Sequence, residues 1–269
     1  MARYTVHGGH AAHGKKYCGA VGYCSESLVD RAICAAVIKW LKIAGHQAYD
    51  VSVDSGISQS NIISKIKKNI NYYRSCTANI SIHLNAATKV KADGKVKGSE
   101  VLVYSTTSND AFIANRICLE LKALGFTNRG VKARKDLGIL KGITNGGANV
   151  LVECFFCDDQ DDYNLFNKVG VDAIGKAIAM GVIGKAIPEA SVNVAVPNPI
   201  IKKGTAGDEA KKLQQALNKV AGANLVVDGK FGPASEAALI KWQAAAGLSA
   251  DGIYGPASFK KMQQLLSRY

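Results

Sequence analysis

Across residues 1–186, short apolar runs alternate with segments in which apolar residues recur every three or four positions. Arg3–Val6, Ala48–Val53, Asn79–Leu84, Glu100–Tyr104 and Asn149–Phe155 have strand length and strand composition. Glu26–Ala44, Ser58–Arg74, Asp110–Leu124 and Asp161–Gly184 have helical periodicity. In the first helix, Val29, Ile33, Val37 and Trp40 form one inward stripe. Strands alternating with helices of this length predict βαβ units. The expected fold is therefore α/β, a three-layer arrangement with a mostly parallel sheet between flanking helices.

The pattern stops at residue 187. Residues 187–202 contain three prolines and no helical period, which predicts a linker. Residues 203–269 then carry an internal repeat: Asp228–Ser235 (DGKFGPAS) returns as Asp251–Ser258 (DGIYGPAS). Each copy leads into a helix, Glu236–Ala246 and Phe259–Ser267, and a third helix precedes them at Asp208–Val220. The expected organisation is a domain over 1–186, a linker over 187–202 and a small three-helix domain over 203–269.

Four chemically able side chains fall at the carboxyl ends of predicted strands or on the following helical turn: His10, Glu26, His83 and Glu153. In a parallel sheet those ends share one edge, where active sites are built. Two histidines and a carboxylate form a catalytic zinc ligand set, and a further carboxylate can serve as general base. Near the first strand, His7 and His13 compete with His10, and spacing does not choose among them. Glu26 follows the N-cap candidate Ser25 and lies on the inward stripe, so it needs a partner. Strand alternation puts Ser81, His83 and Asn85 on one face. Glu153 lies inside the apolar run Asn149–Phe156, which is costly for a carboxylate without a task.

Charge and cysteines narrow the setting. The 269 residues carry a formal net charge of +13, of which +4 lies in 203–269 (nine Lys and Arg against five Asp and Glu). Such a surface suits a polyanion. The basic residues are scattered and form no nucleic-acid motif, so nucleic acid is not expected as the partner. Ala32–Gly45 and Val169–Ile187 are too short or too polar to span a bilayer, and the N-terminus has no apolar leader; no membrane insertion and synthesis in the cytoplasm are expected. The seven cysteines lack framework spacing. Cys154 and Cys157 have no second matched pair and are expected to be buried thiols.

The residues Gly8–His10, Glu26 at its helix start, Ser81–Ala86 (SIHLNA), Gly98–Tyr104, Asn128–Val131 and Val150–Phe156 carry a resemblance. Through them, most of residues 1–186 resembles the zinc-dependent N-acetylmuramoyl-L-alanine amidases, the family shared by phage endolysins and bacterial cell-wall and sporulation amidases. The resemblance implies Zn²⁺ held by His10, Glu26 and His83, with Glu153 as the catalytic base. The implied reaction is hydrolysis of the amide joining N-acetylmuramic acid to L-alanine in bacterial peptidoglycan. The chain departs from the family at His7, where an Asp is frequent, and at Asp158 and Asp159, which are expected to make the rim of the site acidic.

Residues 203–269 resemble the three-helix peptidoglycan-binding module, through Leu213-Gln214, Trp242-Gln243 and the two Asp-Gly turns. Asp228, Phe231, Asp251 and Tyr254 are the candidate wall-binding residues, while Trp242 is expected in the bundle core. The implied partners are peptidoglycan and anionic wall polymers. A phage lysin of this kind would need a holin-type pore to reach the wall. The competing classes are a zinc peptidoglycan peptidase and a non-catalytic wall-binding protein.

Overall fold

The computed structural model describes residues 1–87, 90–188, 197 and 200–266. The chain divides into two units, Met1–Ile187 and Pro188–Tyr269. Of the expected linker, 189–196 and 198–199 lie outside the described residues, as does Ser267 of the last expected helix.

The first unit is built on β1 (Arg3–Gly8), β2 (Gln47–Asp50), β3 (Ala78–Asn85), β4 (Ser99–Val103), β5 (Asn128–Ala133) and β6 (Ala148–Phe156). They form one six-stranded sheet in the order β2-β1-β3-β6-β4-β5. All neighbouring pairs are parallel except β4 with β6. The sheet is thus mixed and mostly parallel, as expected.

Helices cover both faces: α1 (Glu26–Ile43), α2 (Gln59–Tyr72), α3 (Asn109–Ala123) and α4 (Gln160–Ile183). One face presents Val6, Ile80, Ile82, Val101, Val150 and Val152 to α1, α3 and α4. The opposite face presents Leu102 and Leu151 to Ile62, Ile66 and Ile70 of α2. Burying one such aliphatic side chain contributes about 1.5–3 kcal/mol, so these two layers hold the sheet in place.

Three details differ from the sequence reading. Strand β2 ends at Asp50, because Val51 and Val53 turn into the α2 side of the core. Strand β5 was not expected: it is an edge strand with mostly exposed or half-buried residues, so no apolar run marks it. Helix α4 breaks at Gly170, where φ is +79°.

The second unit contains α5 (Asp208–Ala221), α6 (Pro233–Ala245) and α7 (Pro256–Leu266) around Leu213, Leu217, Leu239, Trp242 and Met262. The repeat is also a repeat of hydrogen bonds. Gln214 Nε2 donates to Asp228 Oδ1, Lys230 O and Ser235 Oγ, and its Oε1 accepts from Gly229 N–H. Gln243 does the same with Asp251 Oδ1, Ile253 O, Ser258 Oγ and Gly252 N–H. One buried glutamine therefore braces each Asp-Gly turn.

Candidate metal centre and cleft

The carboxyl edge of the sheet assembles the site. Strand β1 runs out at Gly8, and Gly9 N–H still donates to Ile82 O at 3.0 Å, which delivers His10 beside β3. Arg31 fixes this loop by donating from Nη2 to His10 O (3.1 Å) and Val53 O (3.0 Å). Glu26 opens α1, as expected, and is 3% exposed. His83 lies near the end of β3, in register with Glu153 of β6, so both side chains share one face.

Three donors converge. His10 Nε2 and His83 Nδ1 each lie 3.2 Å from Glu26 Oε1, and their rings meet edge to face with centroids 4.9 Å apart. Leu84 N–H donates to the same Oε1 at 3.1 Å, and Ala20 N–H donates to Oε2 at 2.8 Å. Among the described residues, His10, Glu26 and His83 are the group whose ligand atoms lie close enough together, within 4.8 Å, to hold a metal ion. Glycines make room for them. A Cβ on Gly9 would stand 1.7 Å from His83 Cε1, and one on Gly19 would stand 2.5 Å from Glu26 Oε2.

The competing histidines separate clearly. His7 is 1% exposed, sets Nδ1 3.1 Å from Gly8 O, and lines a different, small cavity with Asn79 and Asn149. His13 is exposed and pairs with Ser25 Oγ at 2.9 Å. Of the three, only His10 reaches Glu26.

The electrostatics are lopsided. Burial resists ionisation of Glu26, but the hydrogen bonds with His10 and His83 outweigh it and hold the carboxyl far below the usual range. Burial also opposes a charge on both histidines. Beside Glu26, His10 is nevertheless raised, whereas the more deeply placed His83 is lowered. Asp30 lies one turn after Glu26 with both carboxyl oxygens buried and unpartnered; burial first, then Glu26, pushes it up to about 7.

Glu153 opens onto the same cleft as His10 and His83, a space of about 300 Å³ that Ile63, Leu102, Leu137 and Arg134 also line. Its Oε2 is buried without a hydrogen-bond partner. Burial, then the charges of Glu26 and Glu100, push its carboxyl up to about 8, against the opposing pull of Arg134. Among the described residues no ion pair involves Glu153. Glu100 is the paired acid: its Oε2 accepts from Arg129 Nε (2.7 Å) and Lys132 Nζ (2.5 Å), and its Oε1 from Asn85 Nδ2 (3.3 Å).

Glu100, Arg134 and Asp30 were not singled out from the sequence. Asp30 was detectable, since it follows Glu26 by four positions on a helix. Glu100 and Arg134 depend on β4 lying antiparallel to β6 and on the unexpected β5, which sequence pattern did not show.

The expected acidic rim is not formed. Asp158 and Asp159 are 7% and 1% exposed. Asp158 Oδ2 accepts from Ala87 N–H, while Asp159 Oδ1 caps α4 through Asp161 and Asp162 N–H. Asp159 Oδ2 also pairs with Lys97 Nζ at 3.5 Å, so both acids are turned into the fold and away from an exposed rim. All seven cysteines are free, and burial drives the Cys154 thiol far up, so it is inert at neutral pH.

In the second unit, Phe231 and Tyr254 are 1% and 0% exposed and belong to the core with Trp242. Their rings are not available to a wall ligand, which corrects that part of the expected binding set. Asp228 and Asp251 remain exposed, each with Oδ1 engaged in its own turn.

The parallel-rich sheet carries at its carboxyl edge a His-Glu-His cluster that could hold a metal ion and, in the same cleft, an acid whose buried Oε2 has no hydrogen-bond partner. Residues 10–184 match the N-acetylmuramoyl-L-alanine amidase family, and the chain belongs to that family. Residues 206–262 match a putative peptidoglycan binding domain. The catalytic domain of the CD27L endolysin, which targets Clostridia difficile, superposes with a TM-score of 0.60 at 28% identity, covering 69% of this chain and 99% of that one. The CwlV amidase catalytic domain from Bacillus (Paenibacillus) polymyxa shares the fold, with a TM-score of 0.55 at 21% identity over 68% of this chain and 97% of that one. An uncharacterised protein of Clostridium perfringens is 30% identical over 181 residues, 67% of this chain and 51% of its own length. A second, of 38.4 kDa, is 26% identical over 67% of this chain and 50% of its own. The chain thus spans about half the length of the curated relatives it matches. No helix among the described residues is long and apolar enough to cross a membrane.

Proposed function

We propose that the first unit is a zinc-dependent N-acetylmuramoyl-L-alanine amidase acting on bacterial peptidoglycan, and that the protein works as a phage endolysin. The observation that carries this reading is the convergence of His10 Nε2, His83 Nδ1 and Glu26 Oε1 in the cleft that Glu153 also lines. Ligand atoms at zinc distances of 2.0–2.2 Å in a tetrahedron stand roughly 3.3 Å apart. The 3.2 Å separations from Glu26 Oε1 fit that span, and two imidazoles with one carboxylate suit zinc.

His10, Glu26 and His83 would hold the ion, with Gly9 and Gly19 leaving space for their side chains. Bound zinc supplies a Lewis acid for the scissile carbonyl and lowers the pKa of water towards neutrality. Glu153 takes the proton of the attacking water and returns it to the departing L-alanine amine. Leu102, Leu137 and Leu151 line the cleft beside Glu153.

The second unit would retain the enzyme at the wall and raise its effective concentration on substrate, with the exposed Asp228 and Asp251 turns as the candidate contact points. The positive surface would add attraction to anionic wall polymers that weakens with salt. Digestion of purified walls, with the cut bond mapped by mass spectrometry, tests the assignment. New L-alanine amino ends that vanish with a chelator support it; new ends between peptide residues would identify a peptidase, and no cleavage would leave a wall-binding protein.

A further inference from the structure

Among the described residues that line the cleft, Arg134 is the only Lys or Arg. Its backbone is fixed: Arg134 N–H donates to Val103 O at 2.8 Å, extending the β4–β5 ladder, and Leu137 N–H donates back to Arg134 O at 3.3 Å. Its side chain is not committed to the fold. The guanidinium grips Asp136, two residues on, through Nε to Oδ1 (2.8 Å) and Nη2 to Oδ2 (2.7 Å). This is the two-pronged geometry in which arginine recognises a carboxylate. Both side chains are open to solvent, at 47% and 65%. Pairs of that kind add about 0–1 kcal/mol to stability, so exchanging one carboxylate for another costs little.

Arg134 lines the same cleft as Glu153, His10 and His83. Ile63, Ile66, Leu137 and Ile139 also line the cleft, so the guanidinium is the one fixed cation along an otherwise largely apolar wall. A cation placed there, already shaped around a carboxylate, is suited to an acidic group on the substrate.

We propose that Arg134 is a specificity-determining residue whose guanidinium binds a carboxylate on the peptide side of the scissile amide, with Asp136 filling that position when no substrate is present. The proposal rests on the amidase reading. It names the substrate class as wall peptides whose residue after L-alanine is a glutamyl group with a free carboxylate, in preference to the corresponding carboxamide.

Two soluble muropeptides that differ only in that group, L-alanyl-D-glutamyl and L-alanyl-D-isoglutaminyl, provide the test. The zinc-loaded full chain is assayed on both, and the ratio of kcat/KM for acid over amide is compared among variants. Arg134→Gln should lower the ratio at least fivefold, through KM on the acid substrate. Asp136→Asn, which removes the internal competitor, should lower KM for the acid substrate more than for the amide. Arg134→Lys keeps the charge without the fork and should fall between Arg134→Gln and the parent. A ratio that changes less than fivefold in Arg134→Gln overturns the proposal, including the case in which both substrates lose activity equally. Failure of the parent protein to cut either substrate would instead overturn the amidase reading.

Discussion

Glu153 of β6 and Glu100 of β4 stand directly opposite each other in the antiparallel register, two acids on one face of the sheet with unequal surroundings. Arg129 and Lys132 hold Glu100 ionised, with its carboxyl below the usual value although burial opposes this. Glu153 has no such partners and is pushed up to about 8. Environments that drive two carboxyls apart in this way assign them different tasks. Paired with two cations, Glu100 is suited to stay ionised, whereas the surroundings of Glu153 favour its protonated form.

On the proposed mechanism, replacing Glu153 by Gln should lower amide hydrolysis by about 10²–10⁴-fold while leaving zinc content unchanged, because the side chain would move a proton and hold no ion. The metal-free protein should also reveal the buried acid. Glu153 binds its proton more tightly when folded than when unfolded, so its stabilising contribution is complete below about pH 4.5 and is lost as the pH rises through about 8. The Gln variant lacks that loss. Its stability relative to the parent should therefore grow by about 1–3 kcal/mol across this window in chemical denaturation. A constant difference would mean that Glu153 ionises normally.

Glu100→Gln removes the neighbouring negative charge and frees Arg129 and Lys132, and both changes favour ionised Glu153. The acid limb of the kcat/KM profile should move about 0.5–1 unit towards lower pH. A shift to higher pH, or none, would separate Glu100 from the control of Glu153.

Much of this arrangement was legible in the sequence, and what was missed has physical causes. Helices α1 to α4 and strands β1, β3, β4 and β6 announced themselves because each buries a full apolar face. Glu26, His83 and Glu153 stood out because each is polar at the start or end of an apolar element, whereas His10 was separated from His7 and His13 only by the family resemblance. Strand β5 gave no such signal, since an edge strand with exposed side chains satisfies its backbone without burying a stripe. Arg134 was missed with it. Asp158 and Asp159 read as a charged rim because sequence counts charges and does not show the backbone N–H groups that absorb them. Phe231 and Tyr254 were misjudged because an aromatic after an Asp-Gly turn fits a groove and a core equally well by pattern.

His83→Ala should reduce zinc from about one ion per chain towards none, measured by elemental analysis after dialysis. His7→Ala is the sharper control, because His7 is even more buried than His83 but lines the other cavity. It should lower stability yet retain zinc. Loss of the ion in both variants, or in neither, would contradict the assignment of His10, Glu26 and His83.

Gly9→Ala tests the packing of the centre without touching a ligand. The added Cβ would fall inside the His83 ring, so the ring must leave its place beside Glu26. Overpacking of this kind costs about 1–3 kcal/mol. The expected result is a folded protein with weakened zinc affinity and at least tenfold lower kcat/KM, since small displacements of a catalytic constellation are expensive. Normal zinc affinity in this variant would show that the loop can yield, and that Gly9 is not what seats His83.

The paired glutamines of the second unit permit a test of its role apart from catalysis. Gln243→Leu leaves Asp251 Oδ1, Ile253 O, Ser258 Oγ and Gly252 N–H without their shared partner. Leaving buried polar groups unsatisfied costs about 1–3 kcal/mol each, enough to destabilise a unit this small. Pull-down on purified walls should weaken, as it should when residues 203–269 are deleted, while cleavage of soluble muropeptides stays near the parent rate. Parallel loss of soluble-substrate cleavage in the deletion would make the second unit part of the catalytic machinery; undiminished wall binding would place the wall contact on the first unit, where most of the positive charge lies.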